Sequence, residues 1–331
     1  MKKHCRKTKN NPFLPGVILV FMLPLLGSCS LNKLVINKVS DALTGGGAGT
    51  VFTGDNDVRL VGDALPFAIK MYEALLDQNP NHEGLILMTG SLFIMYANAF
   101  VQGPAEMLPL SQYEEKRSEL ARARNLYLRG AGILERGINN KYPEILSGWG
   151  TEENPAFAKA LSTMKKNDVP LFYWYAAGTL SAFALNVFDI SLGLRVPNII
   201  AIMERAYELD ENFNTSALDE LFLIIYGALP EGLGGDKEKA VIHYERALEK
   251  SGGQSAGPYV SYAQTIAVQN QDYESFKSNL EKALSIDPSK DSSNTLVNVI
   301  GQQKARYLLD KAPELFADLD IWDDDEYDDE Y

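Results

Sequence analysis

The segment "GPYVSYAQTIAVQNQDYESFKSNLEKALSIDPSK", residues 257–290, constrains the fold more than any other stretch of the chain. It is 34 residues long and carries its own turn and stop. Ala263, Ala267, Phe276, Leu280 and Ala283 fall at helical spacing, and Asn270-Gln271-Asp272 interrupts the run. Pro288 ends the second helix, because proline has no N–H to donate. The small residues let the two helices approach closely. One such pair cannot bury all of its apolar surface alone, so it must stack on neighbours of the same kind.

Those neighbours can be found by the small residue late in each second helix: Ala74, Gly137, Ala206, Ala247 and Ala283. The separations are 63, 69, 41 and 36 residues, and only the last two approach a plain repeat. The earlier units therefore carry insertions near 102–118 and 140–168. The second insertion, "SGWGTEENPAFAKALSTMKKNDVP", is turn-rich with one short helix and suits a lid or a subunit contact. The pattern resembles the tetratricopeptide repeat. It implies an all-α fold, a tetratricopeptide-like superhelix of helical hairpins with insertions and a C-terminal capping helix. That last helix is expected to start at Ser292 or Ser293 and run to about Phe316, with Leu296, Ile300, Gln303, Tyr307 and Leu308 covering the open end of the stack.

The two helices of a unit differ in character. In one second helix Leu120, Ala123, Tyr127, Ala131, Leu134 and Ile138 step by three or four, with Arg122, Arg124, Arg129 and Glu135 elsewhere around it. The first helices carry no such charge: Gly84–Ala105 and Pro170–Phe188 contain no charged residue at all. Such a helix is buried all round or faces something apolar. Crossing a membrane is one alternative, but Asn98, Gln102, Thr179, Ser181 and Asn186 and the fit to the first-helix slot oppose it. First helices of stacked pairs line the concave face, so Phe93, Tyr96, Phe172, Tyr173, Trp174 and Tyr175 are candidates for ligand or partner binding there. Filling the core between helices is the competing role for each of them. A run such as Phe172-Tyr173-Trp174-Tyr175 points around the whole circumference, so its members cannot all face one neighbour.

The chain begins with a basic stretch, Lys2, Lys3, Arg6, Lys7 and Lys9, followed by uncharged Phe13–Leu26, broken by Pro15, Gly16 and Pro24. This suits an export signal over residues 1–28 better than a membrane span. Leu26-Gly27-Ser28-Cys29 resembles a bacterial lipobox, which implies lipidation of Cys29, with acyl chains such as palmitate holding the protein to the membrane. An ordinary signal with a chance cysteine is the alternative. Residues 29–57 are glycine-rich and read as a flexible tether, residues 58–317 as the helical domain, and 318–331 as an acidic disordered tail. Loss of the signal would move the net charge from −13 to −18, a balance that repels nucleic acid. The tail "WDDDEYDDEY" could instead dock a basic partner.

No residues suggest catalysis, a metal or a cofactor. His82 and His243 are far apart in sequence, and no HExxH, GxSxG or CxxC spacing occurs. Asp219 and Glu220 form one carboxylate pair among many in an acidic chain. "LPEGLGGDKEKA", residues 229–240, has the glycines of a phosphate loop but neither a preceding strand nor a following Lys-Ser or Lys-Thr. It reads as a turn inside one repeat, with Asp236 as the N-cap of the next helix. A hydrolase of envelope polymers would need an open acidic cleft with paired carboxylates.

Several segments together resemble the T component of TRAP transporters associated with tetratricopeptide-repeat proteins (TatT-like lipoproteins). They are "ALPFAIKMYEALLDQNP", "YANAFVQGPAE", "MERAYELDENF", "YGALPEGLGGDKEKAVIHYERALEKSGG", "GPYVSYA" and the ending "NTLVNVIGQQKARYLLDKAPELF", in this order across residues 60–316. The resemblance implies a lipid-anchored protein of the bacterial envelope that faces the periplasm. It would bind a periplasmic solute-binding protein, reach the TRAP membrane subunits indirectly and offer an apolar cavity to a small hydrophobic ligand. It also implies a homo-oligomer, with a trimer among the forms it allows. A module that binds only other proteins is the second function the residues allow.

Overall fold

The computed structural model describes residues 49–147 and 155–317, together with Lys38 and Leu319. The signal segment, Cys29, most of the tether, residues 148–154 and the rest of the acidic tail lie outside the described residues.

Among the described residues every regular element is helical. In chain order the α-helices are α1 Gly49–Thr53, α2 Val58–Gln78, α3 Glu83–Tyr96, α4 Gly103–Glu106, α5 Tyr113–Lys141, α6 Pro143–Ser147, α7 Pro155–Thr163 and α8 Val169–Ala184. They continue with α9 Ile190–Gly193, α10 Val196–Leu209, α11 Ala217–Ala228, α12 Lys237–Ser251, α13 Ala256–Tyr262, α14 Tyr273–Ser285, α15 Thr295–Asp310 and α16 Ala312–Leu315. Local chemistry sets many of the starts. The side chains of Asp57, His82, Asp236 and Asp272 each accept from the amide three residues on, at 2.9, 3.2, 3.0 and 3.0 Å. Each such cap contributes about 1 kcal/mol. The turn before Asp236 needs glycine at Gly235, where a Cβ would lie 1.8 Å from the Leu229 carbonyl oxygen.

Successive hairpins pack as the repeat spacing requires: α3 with α5, α8 with α10, α11 with α12, and α13 with α14. The predicted stripe of α5 is the buried one, since Ala123, Tyr127, Leu134 and Ile138 are fully enclosed. First helices also meet each other, α3 on α8 and α11 on α13. Both α3 and α13 widen into a π-helical turn directly after a tyrosine, at Ala97–Gln102 after Tyr96 and at Ala263–Ala267 after Tyr262. The long insertion contributes two short helices, α6 and α7, rather than one. Ile145, Leu146, Phe157, Ala160 and Met164 are buried in the main core, so the described part of this insertion is built into the body and is not a lid.

The last helix also departs from expectation. It starts at Thr295 with Asn294 at the N-cap position, because Ser293 Oγ already binds Asp291 Oδ1 at 2.6 Å. It breaks at Lys311, just before Pro313, whose ring nitrogen cannot continue the ladder. More importantly, α15 does not cover an open end. It packs on α13 and α14 on one side and on α1 and α2 on the other, with Leu296 inside the N-terminal core and Ala305 and Leu308 inside the C-terminal one. Its polar residues cap its neighbours: Asn298 Oδ1 accepts from Ala256 N at 2.8 Å, and Gln302 Nε2 donates to Ile286 O at 2.7 Å.

Glu106 completes the closure. Its carboxylate accepts from Lys304 Nζ at 2.5 Å and Gln102 Nε2 at 2.7 Å, and its carbonyl oxygen from Tyr307 Oη at 3.0 Å and Lys116 Nζ at 2.9 Å. The stack of hairpins is thus joined end to end, and the short helix α1, within the segment read as tether, is part of the joint.

Candidate functional site

The six aromatic candidates are distributed over several surroundings. Phe93 is buried in the N-terminal core, with the Arg129 guanidinium 4.8 Å above its ring. Tyr96 is half-buried, stacked on Phe100 at 5.8 Å and beside Arg122. Phe172 is fully buried against Tyr142 at 5.7 Å, and Tyr175 is fully buried with its hydroxyl accepting from Arg195 Nη1 at 3.3 Å. Tyr173 and Trp174 differ from these. They are half-buried, sit edge to face at 5.2 Å, and Tyr173 lies 5.2 Å from Phe213. Neither the Tyr173 hydroxyl nor the Trp174 indole N–H has a hydrogen-bond partner among the described residues.

Opposite Tyr173 stands a group that the sequence did not single out. Glu220, in the first turn of α11, accepts on Oε1 from Ser216 Oγ at 2.8 Å and from Ser255 Oγ at 3.3 Å. Its Oε2 lies so close over α13 that a Cβ on Gly257 would come within 2.4 Å of it. Burial pushes the Glu220 carboxyl above the usual range against the two serine hydrogen bonds, and the Asp219 charge adds to the rise. Burial likewise pushes the Tyr173 hydroxyl up, with a further contribution from the Glu220 charge. Both side chains nevertheless keep some solvent access.

Asp219, one residue earlier, points the other way. It is fully buried, and its two oxygens receive His243 Nδ1 and Lys250 Nζ, each at 2.7 Å. His243 stacks on Phe222 at 4.7 Å, and Lys250 also donates to Glu211 O at 2.6 Å. Neighbouring positions on a helix are about 100° apart, so the two carboxylates cannot flank one substrate bond. Among the described residues no group of three His, Cys, Asp or Glu is placed to hold a metal ion.

Two pockets open elsewhere. One of about 210 Å³ lies at the starts of α3 and α8, lined by Ile86, Leu87 and Leu171. Lys141 spans its edge, 2.7 Å from Glu83 and 3.1 Å from Asp168. The other, about 460 Å³, is a polar groove along Tyr207–Asn212. None of the six aromatics lines either one. One helical run among the described residues, Glu83–Glu106, is long and apolar enough to cross a bilayer, and 56% of its most apolar window is buried inside the protein. A core helix gives the same signal.

Comparison with known proteins places this architecture. An uncharacterised protein of Treponema pallidum (strain Nichols) is 34% identical over 310 residues, which cover 89% of this chain and 95% of that one. The family model described as TRAP transporter T-component matches residues 54–316, from just before α2 to the end of α16. The chain therefore belongs to the TRAP transporter T-component family.

Proposed function

We propose that the protein is a non-catalytic scaffold of a TRAP-type transporter, tethered to the membrane through acyl chains on Cys29 and facing the periplasm. It holds the solute-binding subunit near the membrane subunits and offers its concave inner face to a small apolar solute. Membership of the T-component family supports the transporter role. The ligand part rests on α8: it is uncharged, and it presents Tyr173 and Trp174 half-buried with unpartnered polar tips. Aromatic walls with a few free hydrogen-bonding groups suit a ligand that is mostly apolar. Confinement by the tether raises the partner's local concentration, so handover needs no tight complex.

Native mass spectrometry of the protein taken from its own envelope provides the test. A co-purified apolar molecule is expected on the wild type, and Trp174→Ala is expected to weaken its retention about thirtyfold, the share of a typical hot-spot aromatic. If repeated preparations of the wild type never carry such a molecule, the solute reading fails.

One observation favours protein binding as a separate role. The connection between α8 and α10 exposes Val187, Phe188, Ile190 and Leu194, with 89% of Phe188 accessible. Apolar side chains grouped this way mark a contact surface. Phe188→Ser is expected to reduce recovery of the solute-binding subunit in a pull-down while leaving solute retention unchanged. Undiminished recovery removes this surface from consideration.

A further inference from the structure

Among the described residues no cation faces Glu220, which stands beside Tyr173. The groups facing it can be named by element. On its own helix α11 there is Asp219, which is negative and spends its charge on His243 and Lys250 of α12. From α8 comes Tyr173, and from the start of α13 come Ser255 at its N-cap and Gly257, with no cation among them. Oε1 is held by two hydroxyls, while Oε2 receives no hydrogen bond from any described residue and is not sealed from solvent. A partly buried carboxylate without a counter-charge either takes up a proton or is completed by something positive.

The surroundings favour a cation with an apolar body. Tyr173 and Phe213 stand with their rings 5.2 Å apart. Aromatic faces attract ammonium groups and bury alkyl chains equally well. The segment that brings Phe213 and Ser216 to the site is strained, with Asn214 at φ 43° and Thr215 at φ 64°. That conformation is rare for a β-branched residue. An anionic ligand would instead meet Glu220 with Asp219 behind it. We propose that Glu220 receives the ammonium head of an apolar amine at the inner face between α8, α11 and α13, an assignment that rests on reading that face as a solute site. The carboxylate takes the head through Oε2, the serines hold Oε1 in place, and the uncharged surface of α8 takes the chain.

The experiment compares octylammonium, 1-octanol and octanoate by titration calorimetry. It uses the full chain with Cys29→Ser, so that no acyl chain competes for the inner face. Octylammonium is expected to bind at least about tenfold tighter than octanol, the value of one charge-assisted hydrogen bond. Glu220→Gln is expected to abolish that preference, and an unchanged thermal melt followed by circular dichroism reports an intact fold. Between about pH 5 and about pH 8 the alkylammonium stays charged, as a lysine would, so tighter binding with rising pH reports ionisation of the carboxyl. Should Glu220→Gln fail to fold, the wild-type preference and its pH dependence decide. Equal binding of octylammonium and octanol overturns the amine assignment and leaves the solute reading standing. Preference for octanoate, or affinity that falls as pH rises, overturns it as well. Binding of none of the three removes the solute reading and the assignment with it.

Discussion

Replacing Asp219 by alanine is expected to destabilise the protein by about 3–5 kcal/mol, the cost of leaving buried charge without its partner. Both carboxylate oxygens are used, and the side chain is completely enclosed. In the variant Lys250 would keep its bonds to Tyr207 and Glu211 but lose its carboxylate partner, and His243 would lose the partner that orients its ring. For a domain of this size the melting temperature should fall by about 10 °C, at roughly 2–4 °C per kcal/mol. Urea denaturation that shows less than about 1 kcal/mol of loss would contradict the assignment of this triad as a structural core element.

The pH dependence of that loss has a definite sign. Burial alone would raise the Asp219 carboxyl, but the bonds from His243 and Lys250 overcome it and hold the group below its ordinary 3.8. A carboxyl lowered on folding stabilises fully above the unfolded value, and the contribution fades as pH falls through the folded one. Lys250 reports the same contact from the other side. Burial would lower it, yet the bonds to Asp219 and Tyr207 carry it above 10.5. Its contribution is present below that value and is lost as pH rises through the raised one. The gap between wild type and Asp219→Ala should therefore be widest at neutral pH and close towards both extremes.

The helix pairs were legible because their spacing is local. Ala263, Ala267, Phe276, Leu280 and Ala283 lie within one unit, and all are buried where helical periodicity puts them. The surroundings of Glu220 were not legible for the opposite reason. Asp219 and Glu220 are neighbours in a chain with 44 acidic residues, and nothing local distinguishes them. What separates them is Lys250, 31 positions later, and Ser255, 35 positions later, brought to opposite sides of α11 by the fold. One local signal was available: both carboxylates open a helix that is otherwise apolar, "LFLIIYGA". The aromatic run of α8 was half legible. Its composition announced an unusual face, but only packing shows that Phe172 and Tyr175 fill the core while Tyr173 and Trp174 stay open. End-to-end closure was hidden too, because Glu106 and Lys304 are 198 residues apart.

Helices α3 and α8 both pack on α5, and glycines set that spacing. Two glycines of α5 should therefore respond to the same substitution with opposite signs. A Cβ on Gly130 would lie 2.7 Å from the Gly90 carbonyl oxygen, 2.9 Å from Ile94 Cγ1 and 3.0 Å from Phe93 Cβ. The nearest of these is backbone, which cannot rotate aside. Gly90 in turn would place a Cβ 2.5 Å from Leu134 Cγ, so α3 and α5 meet glycine against glycine. Around Gly132, two residues further along, a Cβ would meet nothing within 4 Å. Helix propensity alone favours alanine over glycine by about 1 kcal/mol at either position. Gly132→Ala should therefore stabilise by about 0.5–1 kcal/mol. Gly130→Ala should destabilise by about 1–3 kcal/mol in spite of the same propensity gain, because overpacking must push two helices apart. Gly130→Leu should exceed that range, since its added atoms have nowhere to go between α3 and α5. If Gly130→Ala raised the urea midpoint as Gly132→Ala does, the close approach of α3 to α5 would be disproved.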